Sequence, residues 1–266
     1  MADRPLVQRI LAWATLPVLI LGIAGARFAK LPSLDLASAA LAADALQDEF
    51  EQRVRSYLLA HPEVIAEALN RMEAKRGEQE AAAAKAALKA HVADVFQDQD
   101  SPVGGNPNGN VTLVEFFDYN CPYCRTMAPL MEKAEASDPQ LRIVYKEFPI
   151  LSAGSVFAAK AALAANRQGK YVAFHRALYQ GRGQVDEAKV LEVARTLNLN
   201  VARMKADMQD AAIERMLEAN NNLAQALHIT GTPGFVAGDE VWTGATDFNG
   251  LQALISKGRE AQQSAK

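Results

Sequence analysis

Only two cysteines occur in 266 residues, Cys121 and Cys124. One such pair supplies two zinc ligands, and no second pair or suitably spaced histidine completes a tetrahedron. A purely structural disulfide across two residues would close a tiny loop and constrain little of the unfolded chain. The four histidines, His61, His91, His175 and His228, lack metal-ligand spacing and read as solvated or packing side chains. Clustered Lys and Arg are also missing. With a net charge of −3, that argues against a nucleic-acid partner.

Half of the chain is hydrophobic and 22% is charged, so a packed globular core is expected. The first residues stand apart. Arg4 and Arg9 precede the uncharged run "ILAWATLPVLILGIAGA", which ends in small residues at 24–26. Residues 1–26 therefore have the form of a secretory signal; the alternative is an uncleaved N-terminal anchor. Either one exports the rest of the chain, into a compartment where disulfide chemistry operates.

Residues 44–98 read as helix. Leu46, Phe50, Val54, Tyr57 and Leu58 form one apolar stripe, and Pro62 can open a second helix. Val64, Ile65, Ala68, Leu69 and Met72 share a face, Gly77 is a candidate break, and Leu88, Val92, Val95 and Phe96 fall on one side. This stripe needs a partner, in the following domain or in another chain. The Gly, Pro and Asn content of 99–110 marks a linker and a domain boundary.

From Val111 the pattern becomes strand ("VTLVEFF"), helix ("RTMAPLMEKAEA") and strand ("LRIVYKEFPI"), a βαβ unit with parallel strands. Residues 153–228 read as helical, with Asp186, Asn200 and Asp210 as N-caps and Gly169 and Gly181 as stops. "GTPGFVAGDEVWTG" reads as strand, Gly238-Asp239 turn, strand, and a last helix starts near Phe248.

In this setting a redox role suits the two thiols best. Cys121 precedes a helix, where free amides and the helix dipole favour its thiolate. Cys124, one turn further, can attack a mixed disulfide. Pro122 between them limits local freedom without disturbing a helix start.

Three features together resemble the thioredoxin-fold thiol-disulfide oxidoreductases of the DsbA family: "FFDYNCPYC" after a strand, "TPGFV" at 232–236, and the helical stretch 153–228 between the second strand and that loop. The resemblance implies an α/β thioredoxin fold over 111–262 with an inserted helical subdomain, preceded by an N-terminal helical region. It implies that Cys121 is a solvent-exposed nucleophile and Cys124 a buried resolving thiol. Pro233 becomes a cis-proline facing them, and the Thr232 backbone is left free to pair with an extended client. Thr232, Pro122 and Tyr123 are then the client-binding residues. Glu115 matches a buried acid that relays a proton, with Lys146 and Glu147 completing a charged set beneath the site. Tyr123 replaces the histidine of strongly oxidising relatives, which implies a less oxidising pair.

"LLAHPEVIAEAL" (58–69) and "DSPVGGNPNGNVTLVEFFDYNCPYC" further resemble the ScsC-like branch, the suppressor-of-copper-sensitivity proteins. That implies a periplasmic enzyme: some members oligomerise through their N-terminal helices and act as disulfide isomerases, and others are monomeric oxidases or reductases. For this chain the expectation is an oligomer through those helices, a trimer by resemblance. Its partners would be exported proteins with thiols or disulfides and a membrane redox partner that resets the pair. No cofactor, metal or nucleic acid is expected. The competing function is a copper(I)-binding module built on the same two soft thiolates, although no Met or His cluster flanks them.

Overall fold

The computed structural model describes residues 36–264, so the expected signal or anchor at 1–26 lies outside the described residues. Among the described residues no helix is long and apolar enough to cross a membrane. The chain divides into two compact units between Ile65 and Ala66. The first contains helix α1 (Leu36–Ala60) and the first turn of α2 (Pro62–Ala90), with Pro62 at the first helical position, where a missing N–H costs nothing. Leu46, Phe50, Val54 and Tyr57 are all exposed on α1.

In the second unit α2 runs through Gly77 without the expected break. It stops at Ala90, and His91 turns the chain into the short α3 (Val92–Phe96), so 62–98 is not one continuous helix. Leu88 and Val95 pack against Val114, Phe116, Val144 and Leu223. The later part of the N-terminal helical region thus shares a core with the strands that follow it.

The supposed linker also contains a strand, β1 (Val103–Gly105). Its glycines disguise it. A side chain at Gly104 would come 2.9 Å from the Tyr145 ring, and Gly105 has φ +65°, so both positions need glycine and the segment has a loop's composition.

The rest follows the expected order. Strand β2 (Val111–Phe117), helix α4 (Pro122–Ser137) and strand β3 (Leu141–Glu147) form the βαβ unit, with Val111 opposite Leu141 and Phe117 opposite Glu147. Five helices make the insert: α5 (Ala153–Asn166), α6 (Tyr171–Gln180), α7 (Glu187–Thr196), α8 (Val201–Asp207) and α9 (Ala211–Ala226). The side chains of Asp186, Asn200 and Asp210 cap α7, α8 and α9 by accepting backbone N–H bonds. Strands β4 (Gly234–Ala237) and β5 (Glu240–Thr243) turn at Gly238, where φ is +60°, and α10 (Phe248–Ser264) follows.

The five-stranded sheet has the order β1-β3-β2-β4-β5, with only β2 and β3 parallel. Every residue of β2 is buried, as a central strand covered on both faces requires. Alternation sends Leu113 and Phe117 into the cluster that holds both cysteines, and Val114 and Phe116 into the cluster with Leu88 and Val95.

Candidate active site

The strand β2 hands the chain to a short connection at 118–121 that is held from three sides. Asp118 Oδ2 accepts the N–H groups of Ile150 and Leu151 at 2.9 and 3.0 Å, and Oδ1 accepts that of Asn120 at 2.8 Å. The Asn120 amide bonds both backbone groups of Val185, accepting at 2.7 Å and donating at 3.0 Å. Arg125 donates to the carbonyls of Tyr179, Gly181 and Gly183. Composition did not single out Asp118, Asn120 or Arg125, because their partners lie 32 to 65 residues away.

Cys121 is the N-cap of α4, and its sulfur accepts the Cys124 N–H at 3.5 Å. The Cys124 thiol hydrogen-bonds to it and brings the Cys121 pKa down to about 5; burial opposes this, and the Thr232 side chain and the Cys124 and Tyr123 amides assist. Cys124 is driven the other way, by burial first, then by its bond to Cys121 and the nearby Glu115 carboxylate. The two thiols are therefore chemically distinct: one ionises readily and the other holds its proton. Both are free. The exposure expected of Cys121 is not found, since the residue is only 4% exposed; Pro122 and Tyr123 form the exposed lip beside it.

The Thr232–Pro233 bond is cis. Thr232 faces Cys121, whose thiol donates to the Thr232 carbonyl at 3.2 Å. The Thr232 carbonyl is thus engaged by the protonated thiol rather than free, and ionisation of Cys121 releases it. Glu115 is buried on the cysteine face of β2, and burial raises its pKa to about 8.

The expected charged set of Lys146 and Glu147 does not form, because neighbouring strand residues point to opposite faces. Lys146 lies under α3, donating to Asp98 Oδ2 at 2.6 Å and to the Asp94 carbonyl at 2.9 Å. Glu147 lies among aromatic rings, where Tyr119 and Tyr171 hydroxyls donate to its Oε1 at 3.0 and 2.7 Å. His175 packs there too, 3.2 Å from the Tyr119 hydroxyl, its pKa lowered to about 3 by burial. Among the described residues no group of three or more His, Cys, Asp or Glu side chains could hold a metal.

A βαβ unit whose helix starts at a Cys-x-x-Cys facing a cis-proline defines a thioredoxin-fold thiol-disulfide exchange domain. The chain belongs to the DsbA-like thioredoxin-domain family, whose model matches residues 112–256, and the N-terminal domain model of the copper resistance protein ScsC matches residues 47–79. A solved thioredoxin-like oxidoreductase from Silicibacter pomeroyi is 44% identical, with TM-score 0.62 over 64% of this chain and 98% of that one. BcfH of Salmonella enterica Typhimurium is 28% identical, with TM-score 0.68 over 84% of this chain and 99% of its own. The thiol:disulfide interchange protein DsbA of Bordetella parapertussis is 27% identical over 64% of this chain and 86% of its length. The chain also matches a Na+/H+ antiporter of Salinispora arenicola at 26% identity, spanning 24% of that protein's length.

Proposed function

We propose that the chain is an exported, periplasmic protein thiol-disulfide oxidoreductase that works through Cys121 and Cys124 on other exported proteins. The observation that carries this reading is the pair of free thiols one helical turn apart at the start of α4, with Cys121 Sγ 3.2 Å from the Thr232 carbonyl beside the cis Thr232–Pro233 bond. The Cys121 thiolate attacks a client disulfide, forming a Cys121–client mixed disulfide and expelling a client thiolate. Cys124 then passes its proton to the carboxylate form of Glu115, the minor form at neutral pH, and attacks Cys121 Sγ, which expels the second client thiolate and leaves the Cys121–Cys124 disulfide. Two electrons have passed to the client, and a membrane redox partner resets the pair. The same steps reversed oxidise a client dithiol. If a client thiol resolves the mixed disulfide instead, the outcome is isomerisation. Pro122, Tyr123 and Thr232 line the client side.

The isomerase variant draws support from the exposed apolar residues of α1, which suit packing between copies of the chain. We assign the N-terminal helices to homo-oligomerisation, as a trimer.

The test is a pair of variants. Cys121→Ser abolishes exchange with a scrambled-disulfide substrate, and Cys124→Ser accumulates mixed disulfides with clients. Trapping by Cys121→Ser instead would reverse the two roles. Titration of the reduced protein with copper(I) separates the competing module: tight stoichiometric binding that survives a competing thiol, without turnover, would favour it.

A further inference from the structure

Met127 lies one turn beyond Cys124 on α4 and is fully buried. The backbone N–H of Thr246 donates to its sulfur at 3.4 Å. Thr246 belongs to the connection 244–247 between β5 and α10, and each end of that connection is also held. At the start, the Gly244 N–H donates to the Pro233 carbonyl at 2.8 Å, with Gly244 at φ +91°. At the finish, Asp247 Oδ1 accepts the Gly250 N–H at 2.8 Å. Gly250 also makes room for Thr246, since a side chain there would begin 2.1 Å from Thr246 Oγ1. Cys121 Sγ meets the Thr232 carbonyl at 3.2 Å and the Cys124 N–H at 3.5 Å. With Cys121 protonated, the contacts close a ring that runs from Cys121 through Thr232–Pro233, Gly244, Thr246 and Met127 back to Cys124.

We propose that Met127 is a positioning residue whose sulfur accepts the Thr246 amide and so sets the Thr232–Pro233 edge against Cys121 for an extended client. This rests on the redox reading of the two cysteines. Leucine would fill nearly the same volume. It would offer no acceptor, and the Thr246 amide would lose its partner. The loss should be felt where a client lies along the edge, and not where a small disulfide needs only the Cys121 thiolate.

The experiment compares the full chain with Met127→Leu on two substrates, a disulfide-containing peptide and a small aromatic disulfide. The peptide KM rises about five-fold, the scale of one lost neutral hydrogen bond. The rate with the small disulfide holds, and the Tm falls by no more than about 2–4 °C, the scale of the same lost bond in a domain of this size. Hydrogen exchange at the Thr246 amide quickens while that of the Val114 amide does not. Gly244→Val, which disturbs the same connection at its glycine-favouring φ, shows the same split between substrates. Equal losses on both substrates, or an unchanged peptide KM, would overturn the proposal. A wild-type chain inactive on both would remove the redox reading and this one with it.

Discussion

Glu115 is a buried carboxyl group on the sheet face that carries both cysteines. Its pKa near 8, raised by burial, means that the folded chain holds a proton which the unfolded chain releases near the ordinary value of 4.5. The associated stability is complete below about pH 4.5 and is lost as pH rises through about 8. Glu115→Gln removes that dependence and raises stability at neutral pH by on the order of 2–4 kcal/mol. Under the proposed mechanism it also slows the second exchange step, because Cys124 would lose its proton acceptor. Urea titrations at pH 5 and pH 8 check the first effect: the wild type weakens between them more than the variant does. At this scale the Cys-x-x-Cys helix start and the cis Thr232–Pro233 bond were legible, the first from local pattern and the second from family resemblance. Asp118 and Met127 were not. Their partners lie 32 and 119 residues away, and neither residue type announces such a role.

Most elements could be read from the period of their apolar residues and from their caps. Asp186, Asn200 and Asp210 are helix starts by chemistry alone, and "VTLVEFF" is a buried strand by composition. The misreadings have physical causes. β1 is three residues long and two of them are glycine, so it carries no strand signal. The end of α2 at Ala90 has no glycine or proline to mark it, and only its burial against the sheet distinguishes 84–96 from the exposed helix before it. Lys146 fastens that segment. Burial of Asp98 is outweighed by its bonds to Lys146 and Ser101, and its carboxyl is held below its ordinary value. The resulting stability is present above pH 3.8 and lost as pH falls through the lower folded value. Asp98→Ala would leave Lys146 buried without its counter-charge, at a cost of about 3 kcal/mol, the low end for a broken buried pair because Asp98 is partly exposed. Thermal melts of Asp98→Ala and of the double variant Asp98→Ala/Lys146→Met measure this. The double variant should recover much of the loss, and equal melts would show that the pair contributes nothing.

For the whole molecule, the division at Ile65 sets where the chain can be cut. Removing residues 1–65 spares Leu88 and Val95, whereas a cut at 100 would strip both from the core over Val114 and Phe116. Each large apolar side chain left exposed forgoes about 1.5–3 kcal/mol of burial, so Leu46, Phe50, Val54 and Tyr57 favour self-association. Light scattering should find the full chain oligomeric and the chain from residue 66 monomeric, with disulfide exchange retained and isomerisation weakened. A full chain that is monomeric at micromolar concentration would contradict this. The central claim is that Cys121 and Cys124 form one reversible redox pair, and equilibration with a graded glutathione buffer tests it most directly. Alkylation and mass measurement at each step should give a single two-electron transition between a dithiol and an intramolecular disulfide lighter by two hydrogens. Two thiols that react independently, or a pair that stays reduced across the whole range, would contradict it.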